Sequence, residues 1–109
     1  MSAICIDRRT GKTLHDIVVF ESAAEDIRFR HPTNSYASPT PALEAGTLYV
    51  HFGSYGTAAI DTATGNKKWE RRDFQCNHWR GPAASPVIDG DRIIISYVGF
   101  DVQFVVALD

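Results

Sequence analysis

Cys76, Asn77, His78, Trp79 and Arg80 follow one another directly and put a thiol, an imidazole, an indole and a guanidinium into one short stretch. Such a set can form a ligand-facing loop, because Trp offers a face for stacking and Arg a planar fork for carboxylates. The same residues also read as structure, with Trp79 anchoring one sheet on another and Arg80 bonding nearby carbonyls. Arg28, Arg30, His31 and Asn34, around Pro32, form a second cluster. It reads either as a loop at the same end of the fold or as solvated groups that order their own loop. The four histidines, His15, His31, His51 and His78, show no His-x-His or His-x-x-x-His spacing, so no metal motif is written along the chain. His51 alternates with its strand neighbours in Tyr49-Val50-His51-Phe52 and reads as a packed or half-exposed strand residue. No Gly-x-Ser-x-Gly, phosphate loop or dinucleotide fingerprint is present. Cys5 and Cys76 are too far apart for a Cys-x-x-Cys pair, which leaves one long-range disulfide or two separate thiols.

The chain that must position these groups has 109 residues, 44% of them hydrophobic, and a net charge of −2. That length fits one small domain with a modest core. The charge balance gives no footprint for nucleic acid or an anionic membrane. The longest apolar run, Ile17-Val18-Val19-Phe20, is far short of the ~20 residues of a transmembrane helix. Apolar segments are short, β-branched and aromatic, and Gly, Pro, Asn and Asp punctuate them, which is the pattern of strands and tight turns. Strands are expected over 4–7, 13–20, 47–52, 57–61, 67–72, 92–98 and 102–109, with short extended pieces at 35–43 and 86–88. A single helical turn fits 22–27, and no segment sustains a helical apolar period.

Two motifs recur. Ile6-Asp7-Arg8-Arg9-Thr10-Gly11 and Ile60-Asp61-Thr62-Ala63-Thr64-Gly65 both read Ile-Asp-x-x-Thr-Gly, 54 positions apart. Val106-Ala107-Leu108-Asp109 repeats the strand end, with Asp109 lying 48 positions after Asp61. Ala37-Ser38-Pro39 returns as Ala84-Ser85-Pro86 after 47. In the first motif the aspartate can accept backbone N–H bonds from two and three residues on, and the glycine can close the hairpin in a left-handed conformation. Asp7, Gly11, Asp61, Gly65, Trp69 and Asp109 are therefore structural repeat positions. Ser38 and Ser85 recur as well, which argues for structure, since a nucleophile is needed once. A unit of this length holding about four short strands is a propeller blade, and it buries its faces only against its neighbours.

Ala59-Ile60-Asp61-x-x-Thr-Gly65-x-Lys67-x-Trp69, with the upstream Ala-Ser-Pro and the strand Gly46-Thr47-Leu48-Tyr49-Val50, resembles the repeat of the pyrroloquinoline-quinone-like β-propellers. The resemblance implies an all-β fold of consecutive four-stranded antiparallel blades, eight-bladed when complete, in which the tryptophan docks one blade on the next. On that pattern residues 1–20 are the last two strands of one blade and 21–34 a connecting loop. Residues 35–74 are a complete blade, and 75–109 are the first three strands of another. The first unit departs from the pattern, because the residue four after Gly11 is His15 where Trp69 follows Gly65.

The resemblance implies a fragment of an exported, bacterial protein, periplasmic or extracellular. It would act as a non-catalytic binding or scaffold module and carry no cofactor. Its expected partners are the remaining blades, another copy meeting its open strand edges, or a second protein. The alternative is part of a quinone-dependent alcohol or sugar dehydrogenase, holding pyrroloquinoline quinone with calcium. Enzymes of that kind use adjacent cysteines and a carboxylate–asparagine calcium set, and neither can be assigned in this sequence.

Overall fold

The structure, a computed structural model, describes residues 1–24 and 30–109. Among the described residues it is all-β, and every strand pairing is antiparallel. The first sheet pairs β1 (Ser2–Ile6) with β2 (Thr13–Val18). The central sheet orders β3 (Ala42–Glu44), β4 (Thr47–His51), β5 (Thr57–Asp61) and β6 (Lys67–Arg71). The third orders β7 (Val87–Asp89), β8 (Arg92–Val98) and β9 (Gln103–Leu108). Of the helical turn expected over 22–27, residues 25–27 lie outside those described.

Strand alternation decides which side chains meet. In β4, Leu48 and Val50 belong to a core shared with the first sheet, alongside Ile17, Val19, Phe20, Phe52, Tyr55, Ala58 and Ile60. Tyr49, of the opposite parity, packs instead on a core with Ile93, Ile95, Tyr97 and Leu108 of the third sheet. The central sheet is thus covered on both faces, and β4 and β5 are buried almost throughout.

The two Asp-x-x-Thr-Gly turns are alike atom for atom. Asp7 Oδ1 accepts from the N–H of Arg9 (2.9 Å) and Thr10 (2.7 Å) and from the Thr10 hydroxyl (2.9 Å). Asp61 Oδ1 accepts from the N–H of Ala63 (2.9 Å) and Thr64 (2.9 Å) and from the Thr64 hydroxyl (3.2 Å). These bonds to the ionised form hold both carboxyls below the ordinary carboxylate pKa. Gly11 and Gly65 take φ of 72° and 76°, where a side chain is strained. Each turn is followed by the same register shift: Cys5 pairs with His15 and Ile6 with Thr13, as Ala59 pairs with Trp69 and Ile60 with Lys67.

That shift puts His15 and Trp69 in equivalent places, and both reach the next sheet. Trp69 packs against the core of the third sheet. His15 donates from Nε2 to the carbonyl of Thr62, 3.1 Å away in the central sheet's turn. A polar contact therefore stands in the first unit where an indole stands in the second. The segment 35–43 is strand only from Ala42, because Pro39 and Pro41 cannot donate to a ladder. Pro39 and Pro86, equivalent in the second motif, are both buried, and Ser85 Oγ accepts the Thr40 N–H at 2.9 Å.

The two turn glycines separate backbone strain from docking. Gly11→Ala adds a methyl in open space, whereas at Gly65 it would sit 3.2 Å from His15 Nδ1. Both substitutions carry the left-handed penalty of about 1–2 kcal/mol. Gly65→Ala should cost more in urea unfolding, and adding His15→Ala should erase the difference. Equal losses at both glycines would contradict the docking contact.

Candidate functional site

The loops of residues 30–38 and 74–82 lie side by side at one end of the sheets, and a serine and an asparagine hold them there. Ser54, in the 3-10 turn Gly53–Tyr55 between β4 and β5, donates from Oγ to the Cys76 carbonyl (2.6 Å). The same oxygen accepts the Cys76 N–H (3.0 Å). Asn34 Nδ2 donates to the carbonyls of Arg80 (2.7 Å) and Pro82 (3.2 Å), and the His31 N–H also reaches Arg80 O (3.1 Å). Gly53 is required here: its φ is 61°, and a Cβ would stand 2.7 Å from both His78 Nε2 and Pro82.

Most sequence-predicted site residues gather in this region, with different duties. Arg30 donates to Asn34 O (2.6 Å) and lies over the Tyr36 ring, and the His31 imidazole meets the Thr33 hydroxyl (2.7 Å). These groups order their own loop. Asn77 exchanges bonds with the β8–β9 loop, its N–H to Asp101 Oδ1 (2.8 Å) and its carbonyl from the Phe100 N–H (3.0 Å). His78 bridges to Gly99, donates from Nδ1 to Val98 O (3.3 Å) and stacks on Tyr97. Arg28 lies outside the described residues.

Trp79 and Arg80 face outward. The Arg80 guanidinium sits 4.5 Å above the Trp79 ring, and the edge of Phe100 meets that indole at 6.2 Å. Trp79 is 59% exposed and Phe100 71%. Phe100 had one local signal, an aromatic inside the turn Gly99-Phe100-Asp101. Its meeting with Trp79, from a segment some twenty residues away, had none. The result is an apolar, cationic platform fixed from beneath by the Asn77 and His78 bonds.

Under the platform lies a buried aromatic group. Tyr97 receives His51 edge-on (5.2 Å) and His78 face-on (6.0 Å), and stacks on Phe104 (4.7 Å). His51 is 3% exposed and its Nδ1 meets the Thr57 hydroxyl at 2.9 Å. Burial, helped by the neighbouring His78, pushes its pKa down to about 4. Burial also pushes the Tyr97 phenol up. Cys76 is buried beside this group, 3.8 Å from His78 Nδ1, and Cys5 is exposed; the two form no disulfide. Among the described residues, no three His, Cys, Asp or Glu side chains are grouped to hold a metal ion. No helix among them is long and apolar enough to cross a membrane. No protein family, curated relative or solved structure matches the chain.

The arrangement can present a rigid aromatic and cationic surface to a partner. The Cys76 thiol and the Ser54 hydroxyl are both buried.

The buried histidine gives a pH dependence with a defined sign. Between its ordinary value of 6.5 and about 4, the unfolded chain binds a proton that folded His51 refuses, so stability falls as pH falls through that window. The loss accumulates to roughly 3 kcal/mol by pH 4. His51→Gln, which stays neutral, should flatten the thermal-unfolding profile across the window. The lowered carboxyls of Asp7, Asp61 and Asp73 act at more acid pH, below their ordinary 3.8. An unchanged slope in the variant would show that His51 does not carry the effect.

Proposed function

We propose that the chain is a run of consecutive blades of a quinoprotein-like β-propeller, eight-bladed when complete. In this reading it works outside the cytoplasm as a non-catalytic binding or scaffold module. Support for the fold comes from the repeat. Equivalent turns, register shifts and buried prolines recur in successive units, and each sheet buries a face on the next.

The observation that carries the binding role is the Trp79–Arg80–Phe100 platform. Trp and Arg are the side chains that most often dominate protein interfaces, and rigid support lowers the entropy lost on binding. Two large aromatics left exposed together on a small domain mark a contact surface. The partner class is a protein that offers a carboxylate to Arg80 and an apolar group to the two rings. Cofactor chemistry plays no part in this reading.

A photo-crosslinking residue at position 100 should trap one partner that the same residue at position 105, exposed on β9, does not. Trp79→Ala with Arg80→Ala should weaken that partner's binding at least ~10-fold, as expected when a hot spot is removed. Unchanged affinity would take the platform out of the interface. Binding of pyrroloquinoline quinone in the presence of calcium, read by its absorbance, would instead favour the dehydrogenase reading.

A further inference from the structure

Three buried rings join the central sheet to both halves of the platform. Tyr97 of β8, 1% exposed, receives the edge of His51 from β4 and the face of His78 from the loop. His78 directly precedes Trp79, and Tyr97 lies three positions before Phe100. The chain on either side of His78 is pinned independently, Cys76 by Ser54 and the Arg80 carbonyl by Asn34. Between those pins, Asn77 bonds across to Asp101 and Phe100, and His78 to Val98 and Gly99.

The surroundings of His51 suit a neutral ring and not a cation. Its Nδ1 meets the Thr57 hydroxyl, and its Nε2 is buried with no hydrogen-bond partner among the described residues. No carboxylate among them pairs with it. From β5 it meets the neutral Thr57 hydroxyl, from β8 the Tyr97 phenol and from the loop the His78 imidazole. Arg71 and Asp73 act on Tyr97 with opposite signs and pair with each other at 2.6 Å, and Cys76 acts on Tyr97 as well. Asp101, in the β8–β9 loop, accepts the N–H groups of Asn77 and Val102 on one oxygen. A proton added to His51 would put an unpaired charge in an aromatic shell beside a second imidazole. Strand β4 cannot move to relieve it, because both of its faces are covered by packed sheets. Residues 77–79 can, by breaking a few hydrogen bonds near the surface.

We propose that the His51–Tyr97–His78 stack is an acid-operated latch: in mild acid, protonation of the imidazoles releases residues 77–79 from the β8–β9 loop and parts Trp79 from Phe100, while the three sheets stay folded. The direction follows from linkage. With the latch closed, His51 stays neutral down to about 4; once opening lets water reach the ring, it takes a proton at its ordinary 6.5. Opening is therefore favoured as pH falls below 6.5, by up to ~10-fold per pH unit. The latch regulates the platform, and it rests on the binding reading of that surface only for its consequence, release of the partner in acid.

The Cys76 thiol reports opening without any partner, because Sγ lies 3.8 Å from both His78 Nδ1 and the Val102 carbonyl. In a Cys5→Ser chain, its rate of reaction with a pyridyl disulfide is measured from pH 7 to pH 5 and divided by the rate in the unfolded chain at the same pH. The ratio should rise at least ~10-fold while the β5 amides stay protected from exchange. His51→Gln should remove most of the rise. Trp79→Ala with Arg80→Ala should leave it in place, so failure of the latch and failure of the platform as a binding surface are told apart. In the chain without substitutions, the His51 ring C–H and Trp79 indole N–H resonances should shift over the same pH range. A ratio that does not change with pH would overturn the proposal. So would a rise that persists in His51→Gln, or one matched by equal loss of β5 protection. A Trp79 indole resonance that stays fixed while His51 titrates would overturn it without recourse to any variant.

Discussion

Strands β4 and β5 bury both of their faces, and a strand can do so only when residues of each parity find a separate partner. Leu48 and Val50 find the first sheet, and Tyr49 and His51 find the third. The rest of the structure follows from this two-sided burial. It requires sheets before and after the central one, and it sets them at heights where one unit's turn meets the next unit's docking residue. It also explains the modest core of a chain this small: the apolar side chains are divided between two interfaces rather than gathered in one.

Docking between sheets is built from a fixed position, not a fixed residue. Trp69 fills the place with apolar area, whereas His15 fills it with a hydrogen bond to Thr62 O. The polar version contributes about 1 kcal/mol when such a bond is made, less than burial of an indole. Ile4 and Val18, which alternate with the core-packed Ala3 and Ile17, are exposed on the other face of the first sheet. Around the platform the division of labour is similar. Asn34, Ser54 and His78 spend side-chain polar atoms on backbone groups, the Arg80 carbonyl among them, while the Trp79 and Arg80 side chains face outward.

Features whose cause lies within a few residues were legible in the sequence. The Asp-x-x-Thr-Gly turns could be read because donor and acceptor lie two or three residues apart. The all-β class followed from short β-branched runs between turn residues. The clusters around His31 and His78 could be named, and their place at one end of the sheets inferred from the repeat. Contacts set by tertiary placement were not legible. Nothing near Ser54 announces that it holds Cys76, and Phe100 gives no sign that it meets Trp79. The depth of His51 depends on Tyr97, which is 46 positions away.

Residue-by-residue amide hydrogen exchange tests the two-faced central sheet most directly. Exchange at β4 and β5 should be slowest and occur only through global unfolding, while the outward amides of β1 and β9 exchange by local opening. Protection of β1 equal to that of β5, or independent loss of β4 and β5 while the outer sheets stay protected, would contradict the account.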